Sequence, residues 1–77
     1  MIQHLEHNGI TVEGLVQTEA RICRLLSNRV RNFRLVVRNE RLVLEGFAKT
    51  YYVKQLAQHL VREAIDLPIG ANDIKVI

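Results

Sequence analysis

A single cysteine, Cys23, leaves no internal disulfide framework to hold the chain together. Packing alone, or packing plus a partner, must carry the fold. No apolar run approaches the ~20 residues of a membrane-spanning helix. The opening residues, Met1-Ile2-Gln3-His4-Leu5-Glu6, lack the basic and apolar regions of a signal peptide. A cytoplasmic location is the expectation if the chain is complete. Glycine is sparse, and there is no Gly-rich phosphate loop, no Walker pattern and no Gly-x-x-Gly clamp. Paired catalytic carboxylates and a Ser/His/Asp signature are also missing. The expectation is a non-enzymatic chain that needs no cofactor. There is no internal repeat and no low-complexity segment.

Acid is absent over one long stretch. From Ala20 to Asn39 there are six arginines (Arg21, Arg24, Arg29, Arg31, Arg34, Arg38) and no Asp or Glu. A local positive field attracts phosphate-bearing partners, and the same charges also serve as a plain solubilising surface. The net charge is +3, with 48% apolar and 25% charged residues, an ordinary globular balance. At 77 residues the chain has room for one domain, which buries only about 60% of its unfolded surface. A deep catalytic cleft is not expected in so thin a core.

Residues 1–17 are weakly patterned around the turn signal Asn8-Gly9 and read as an arm or an extra strand using Ile10, Val12, Leu15 and Val16. Thr18 with Glu19 reads as a helix start. Ile22, Leu25, Leu26 and Val30 follow helical spacing, so a helix is expected over 18–31. Arg21, Arg24 and Arg31 then share its outer stripe, and Arg29 lays its stem on the core.

Residues 33–38 and 41–47 read as strands joined by the two-residue turn Asn39-Glu40, although a type I′ turn favours glycine where Glu40 stands. The implied register pairs Val37 with Leu42 and Leu35 with Leu44 on one face. On the other it pairs Val36 with Val43 and Arg34 with Glu45, an opposite-charge pair. A slip of one residue destroys both matches. Thr50 reads as the next N-cap. Val53, Leu56, Ala57, Leu60, Val61, Ala64 and Ile65 form an apolar stripe that Pro68 ends. Gly70 and Asn72 read as loop, and residues 73–77 as a last strand with Ile74 and Val76 inward. The fold class expected is α/β of the two-layer α+β kind, in the order α-β-β-α-β. Two helices pack on one face of a three-stranded mixed sheet. The β-α-β crossover is expected to be right-handed, with the last strand parallel to 41–47.

Residues 18–77 resemble a BON domain, a small bacterial module of this element order. The residues that carry the resemblance are Leu42-Val43-Leu44-Glu45-Gly46, then Thr50, then Leu56-Ala57 within a helix, then Asn72-Asp73-Ile74-Lys75-Val76. The departures are Glu40 at the turn glycine, Asp66-Leu67 for a Gly-Val pair, and Gly70 at an apolar position. The resemblance implies a non-catalytic binding module for phospholipid membranes or for protein, associated with the bacterial envelope if the chain belongs to a larger protein.

The candidate anion- or lipid-binding residues are Arg21, Arg24, Arg31, Arg38, Arg41, Tyr51 and Tyr52. Arg38 and Arg41 face each other across the hairpin, a repulsion that a bound anion would relieve. Tyr51 and Tyr52 open the second helix on its outer side, where they suit a membrane interface, a protein contact or simple packing on the next loop. A protein partner or a second copy on the open sheet face (Arg34, Val36, Arg38, Val43, Glu45, Lys75) is the alternative. Nucleic acid ranks third, because that face is expected to lack the aromatics on which bases stack. His4 and His7 have i, i+3 spacing but no third ligand, so no metal site is expected. Cys23 reads as a buried thiol, and Gly46 as a bulge or a close approach under the second helix.

Overall fold

The structure, a computed structural model, describes residues 11–77. It contains α1 (Val12–Leu25), β1 (Val30–Arg38), β2 (Arg41–Ala48), α2 (Tyr51–Ala64) and β3 (Ile69–Val76). The sheet order is β1-β2-β3, with β1 antiparallel and β3 parallel to the central β2. This is the α-β-β-α-β, two-layer fold expected. Ile22 of α1, Leu26 at its C-cap, Val53, Ala57 and Val61 of α2, and one face of the sheet join a single apolar core. No polar or charged residue is buried among the described residues.

The first helix lies earlier than expected. Its N-cap is Thr11, whose Oγ1 accepts from the Gly14 backbone N–H at 2.9 Å, with Glu13 in the first turn. Residues 12–17 are therefore helical rather than an arm or strand, and Thr18 lies inside the helix. Residues 1–10, including His4, His7 and Ile10, lie outside the described residues. The helix stops at Leu25 instead of residue 31. Ser27 (φ 54°) and Asn28 (φ 56°) are both left-handed. Their N–H groups donate to Arg24 O and Cys23 O at 2.9 and 3.0 Å. This paired closure is the Schellman pattern, made here without glycine. It frees Val30 to start β1. Leu25, expected inward, is 57% exposed.

The hairpin has the expected register: Val37 opposite Leu42, Leu35 opposite Leu44, Val36 opposite Val43, and Arg34 opposite Glu45. Asn39 (φ 52°) and Glu40 (φ 63°) both take the positive φ of a type I′ turn. β1 begins at Val30, before the expected Phe33, because an irregularity between Arg31 and Arg34 lets the pairing continue. There Asn32 (φ 55°) and Phe33 together oppose only Gly46 (φ 145°). This bulge changes the parity of the strand. Without it Arg31 would share the inward face of Phe33 and Leu35. With it Val30 opposes Ala48 in the core, and Arg31 opposes Phe47 on the open face.

Gly46 is the residue that permits the bulge. A Cβ there would stand 2.8 Å from Val30 Cγ1 and 2.9 Å from Arg31 O. The bulge is as expected at Gly46, and the close approach is to β1 rather than to the second helix.

Thr50 caps α2 as expected, accepting from the Val53 N–H at 3.1 Å. Val53, Ala57 and Val61 are buried, Leu56 and Leu60 are half-buried, and Ala64 is exposed rather than part of the stripe. β3 starts at Ile69, not Asp73. The Leu42 N–H donates to Pro68 O at 2.8 Å and opens the parallel ladder there. Gly70 and Asn72 are therefore strand residues, not loop. Gly70 passes close to the stem of Arg41, where a Cβ would be 3.0 Å from the Arg41 Cβ. Asn72 faces α2, and its Nδ2 donates to Lys54 O and Gln58 Oε1 at 3.1 and 3.0 Å. Ile74 is inward as expected, but Val76 is 45% exposed at the sheet's end.

Candidate functional site

Five chain segments meet at one end of the domain. α1 ends there, β1 begins, β2 ends, α2 begins and β3 ends. The opposite end carries the Asn39-Glu40 turn and the end of α2. Strands of eight and nine residues separate the two ends by about 25 Å.

The first end holds an open cleft of about 550 Å³. Its cations are Arg29, Arg31 and Lys49, and its apolar surface comes from Phe47, Ala48, Val53 and Ile77, with Tyr52 at the side. No acidic side chain lines it. Each cation has a local reason to be there. The Schellman closure of α1 puts Arg29 in the corner, where its Nε donates to Leu26 O at 2.9 Å. Arg29, expected to lay its stem on the core from within the helix, is an exposed residue beyond the end of α1. The bulge turns Arg31 out of the core. Lys49 sits between the last residue of β2 and the Thr50 cap. The first turn of α2 contributes the positive end of its dipole.

The candidate residues from the sequence fall into two groups. Arg31 and Tyr52 line the cleft. Arg21 and Arg24 line a shallow groove on the exposed side of α1, with Arg24 in the last turn, toward the same end. Arg31 does not share their helix stripe, because α1 has already ended. Tyr51 and Tyr52 are 65% and 67% exposed beside the cleft. Arg38 and Arg41 are separate, at the hairpin tip. Arg38 donates to Glu45 Oε2 at 3.1 Å. The acid expected to serve Arg34 directly across the strands is thus engaged diagonally by Arg38. Glu45 thus offsets part of the Arg38–Arg41 repulsion within the chain. Both partners of that ion pair are well exposed, so it contributes at most ~1 kcal/mol.

Phe47, Lys49 and Arg29 are the site residues that sequence reasoning missed. The open face was expected to lack aromatics, yet Phe47 stands on it opposite Arg31 and is 37% exposed. The signal was the alternation Val43, Glu45, Phe47 along β2. Lys49 was readable as a cation just before a helix cap.

Burial raises the Cys23 thiol pKa, and the Glu19 carboxylate adds to the effect, so Cys23 is a poor thiolate at neutral pH. The Glu19 Oε2 accepts from the Leu35 N–H at 2.8 Å and blocks part of the free β1 edge. His59 lies 3.3 Å from Glu63 on the exposed side of α2 and pairs with it only when protonated. Among the described residues no three His, Cys, Asp or Glu side chains converge to hold a metal. No helix among them is long and apolar enough to cross a membrane. Comparison with protein-family models, with curated proteins and with solved structures returned no match to this chain.

Proposed function

We propose that this is a non-catalytic, BON-like binding module that associates with anionic phospholipid surfaces through its basic end. The observation that carries the reading is the gathering of Arg24, Arg29, Arg31 and Lys49 at one end beside exposed Tyr51 and Tyr52, around a cleft with no acidic lining. Lys and Arg draw a protein to an anionic surface at about 1 kcal/mol each, within a Debye length of roughly 8–10 Å. Four such residues supply about 4 kcal/mol, which corresponds to a dissociation constant near 1 mM. Charge alone therefore gives reversible attachment. The two tyrosines add apolar contact with wet hydroxyl ends, the chemistry of the membrane interface.

Co-sedimentation with vesicles tests the reading. Binding to anionic but not zwitterionic vesicles, weakened by added salt, is the expected result. Absence of binding to anionic vesicles at low salt would overturn it.

A further inference from the structure

We propose that the cleft between the start of β1 and the start of α2 is a site for one small amphiphilic organic anion, an anionic oxygen head on an apolar body. The inference goes beyond surface attachment, because it rests on a built concavity and not on the field of the exposed arginines.

Its size, about 550 Å³, falls in the range of small-molecule sites, roughly 300–1,000 Å³. The lining is divided by chemistry. Ala48 and Val53 are buried and form an apolar floor, and Phe47 adds a half-exposed aromatic wall. Arg29, Arg31 and Lys49 supply the cations, and none of them has an ion-pair partner among the described residues. The bond from Arg29 Nε to Leu26 O fixes that guanidinium at the corner and leaves its terminal nitrogens free to donate. The end of the α2 dipole adds to the same field. A neutral apolar ligand would leave the three cations without a counter-charge. An inorganic anion would leave the exposed apolar surface of Phe47, Tyr52 and Ile77 uncovered. An anionic head joined to an aliphatic or aromatic body matches both halves.

The bulge is part of the site. Asn32 and Gly46 take positive φ and together change the parity that sets Arg31 beside Phe47 instead of inside the core. Bulges of this kind re-aim a side chain beside functional surfaces.

Octanoate titrated into the isotope-labelled chain in vesicle-free buffer is the test, with octan-1-ol as the uncharged control. The expected result is saturable one-to-one binding, with amide shifts at Phe47, Ala48, Lys49 and Val53 and weaker binding of octan-1-ol. The double variant Arg31→Gln/Lys49→Gln changes only exposed side chains. It is expected to keep a dispersed spectrum and to lose at least about tenfold in octanoate affinity, the worth of a charged hydrogen bond. Absence of saturable octanoate binding would overturn the inference, as would equal binding of octan-1-ol or an unchanged affinity in the double variant. A parallel arm with anionic vesicles separates the two proposals. Vesicle binding without octanoate binding leaves only membrane attachment. Octanoate binding without vesicle binding leaves only the cleft.

Discussion

Replacing Gly46 with alanine is expected to remove about half of the domain's stability. The new Cβ would lie 2.8 Å from Val30 Cγ1, 2.9 Å from Arg31 O and 3.3 Å from the Phe33 Cα. The valine methyl is the end of a side chain, but the other two contacts are backbone and cannot rotate away. The φ of 145° is a second obstacle, since residues with a Cβ rarely adopt it. Backbone strain of this kind costs about 1–3 kcal/mol. Overpacking a filled space costs about 1–3 kcal/mol more. A 77-residue domain has roughly 4–12 kcal/mol in total. A loss of 2–6 kcal/mol at ~4–8 °C per kcal/mol would lower Tm by at least about 8 °C. Thermal unfolding followed by circular dichroism reads this directly. A Gly46→Ala variant that melts within about 2 °C of the parent would refute the claim that Gly46 permits the bulge. A variant that refolds without the bulge would return Arg31 to the core parity, and its cleft would then be lost.

Three further outcomes follow from particular contacts. Glu40→Gly should stabilise the hairpin by about 1 kcal/mol, because Glu40 holds a left-handed φ of 63° that a glycine adopts without penalty; an unchanged or lower Tm would count against the turn assignment. Glu19→Ala should cost about 1–3 kcal/mol by leaving the Leu35 N–H without its acceptor, read as a lower urea midpoint at unchanged slope. Burial raises the Cys23 thiol above its ordinary 9.0. Its contribution to stability is therefore fully present below about pH 9 and is lost as pH climbs through the folded value. Alkylation of Cys23 in the folded chain at pH 8 should be slower than in the urea-unfolded chain, and equal rates would contradict this.

The hairpin was legible because two independent constraints agreed. Apolar alternation set the face, and the charge pair Arg34–Glu45 set the register. The second helix was legible for a similar reason, with a Thr cap, a long stripe and a proline stop in the right order. The first helix was misplaced because Thr11 with Glu13 and Thr18 with Glu19 carry the same capping chemistry. Local sequence cannot choose between them, and tertiary packing of Leu15 against the core does. Its end was hidden because Ser27 and Asn28, not glycine, take the left-handed positions. Val30 satisfied helical spacing while belonging to a strand. Gly70 looked like loop punctuation, yet it is a strand glycine set by the close approach of Arg41.

The site was legible in part. Arg31 and Tyr52 were singled out and do meet at the cleft. Their neighbours Phe47, Lys49 and Arg29 depend on the bulge and on the early end of α1, two irregularities that periodicity does not encode. Arg38 and Arg41 enter the candidate set because they face each other across the hairpin turn, a pairing the structure keeps. The length of the strands places them at the other end.

The measurement that bears most directly on the proposed function compares the two ends of the domain. Binding to anionic vesicles at low salt would be measured for the parent, for Arg24→Gln/Arg31→Gln/Lys49→Gln, and for Arg38→Gln/Arg41→Gln. At about 1 kcal/mol per cation, the triple variant should lose roughly 100-fold in affinity. The hairpin variant should stay within about threefold of the parent, because Arg38 is already paired with Glu45 and the tip faces away from the basic end. Equal or greater loss in the hairpin variant, or no vesicle binding by the parent, would contradict the account.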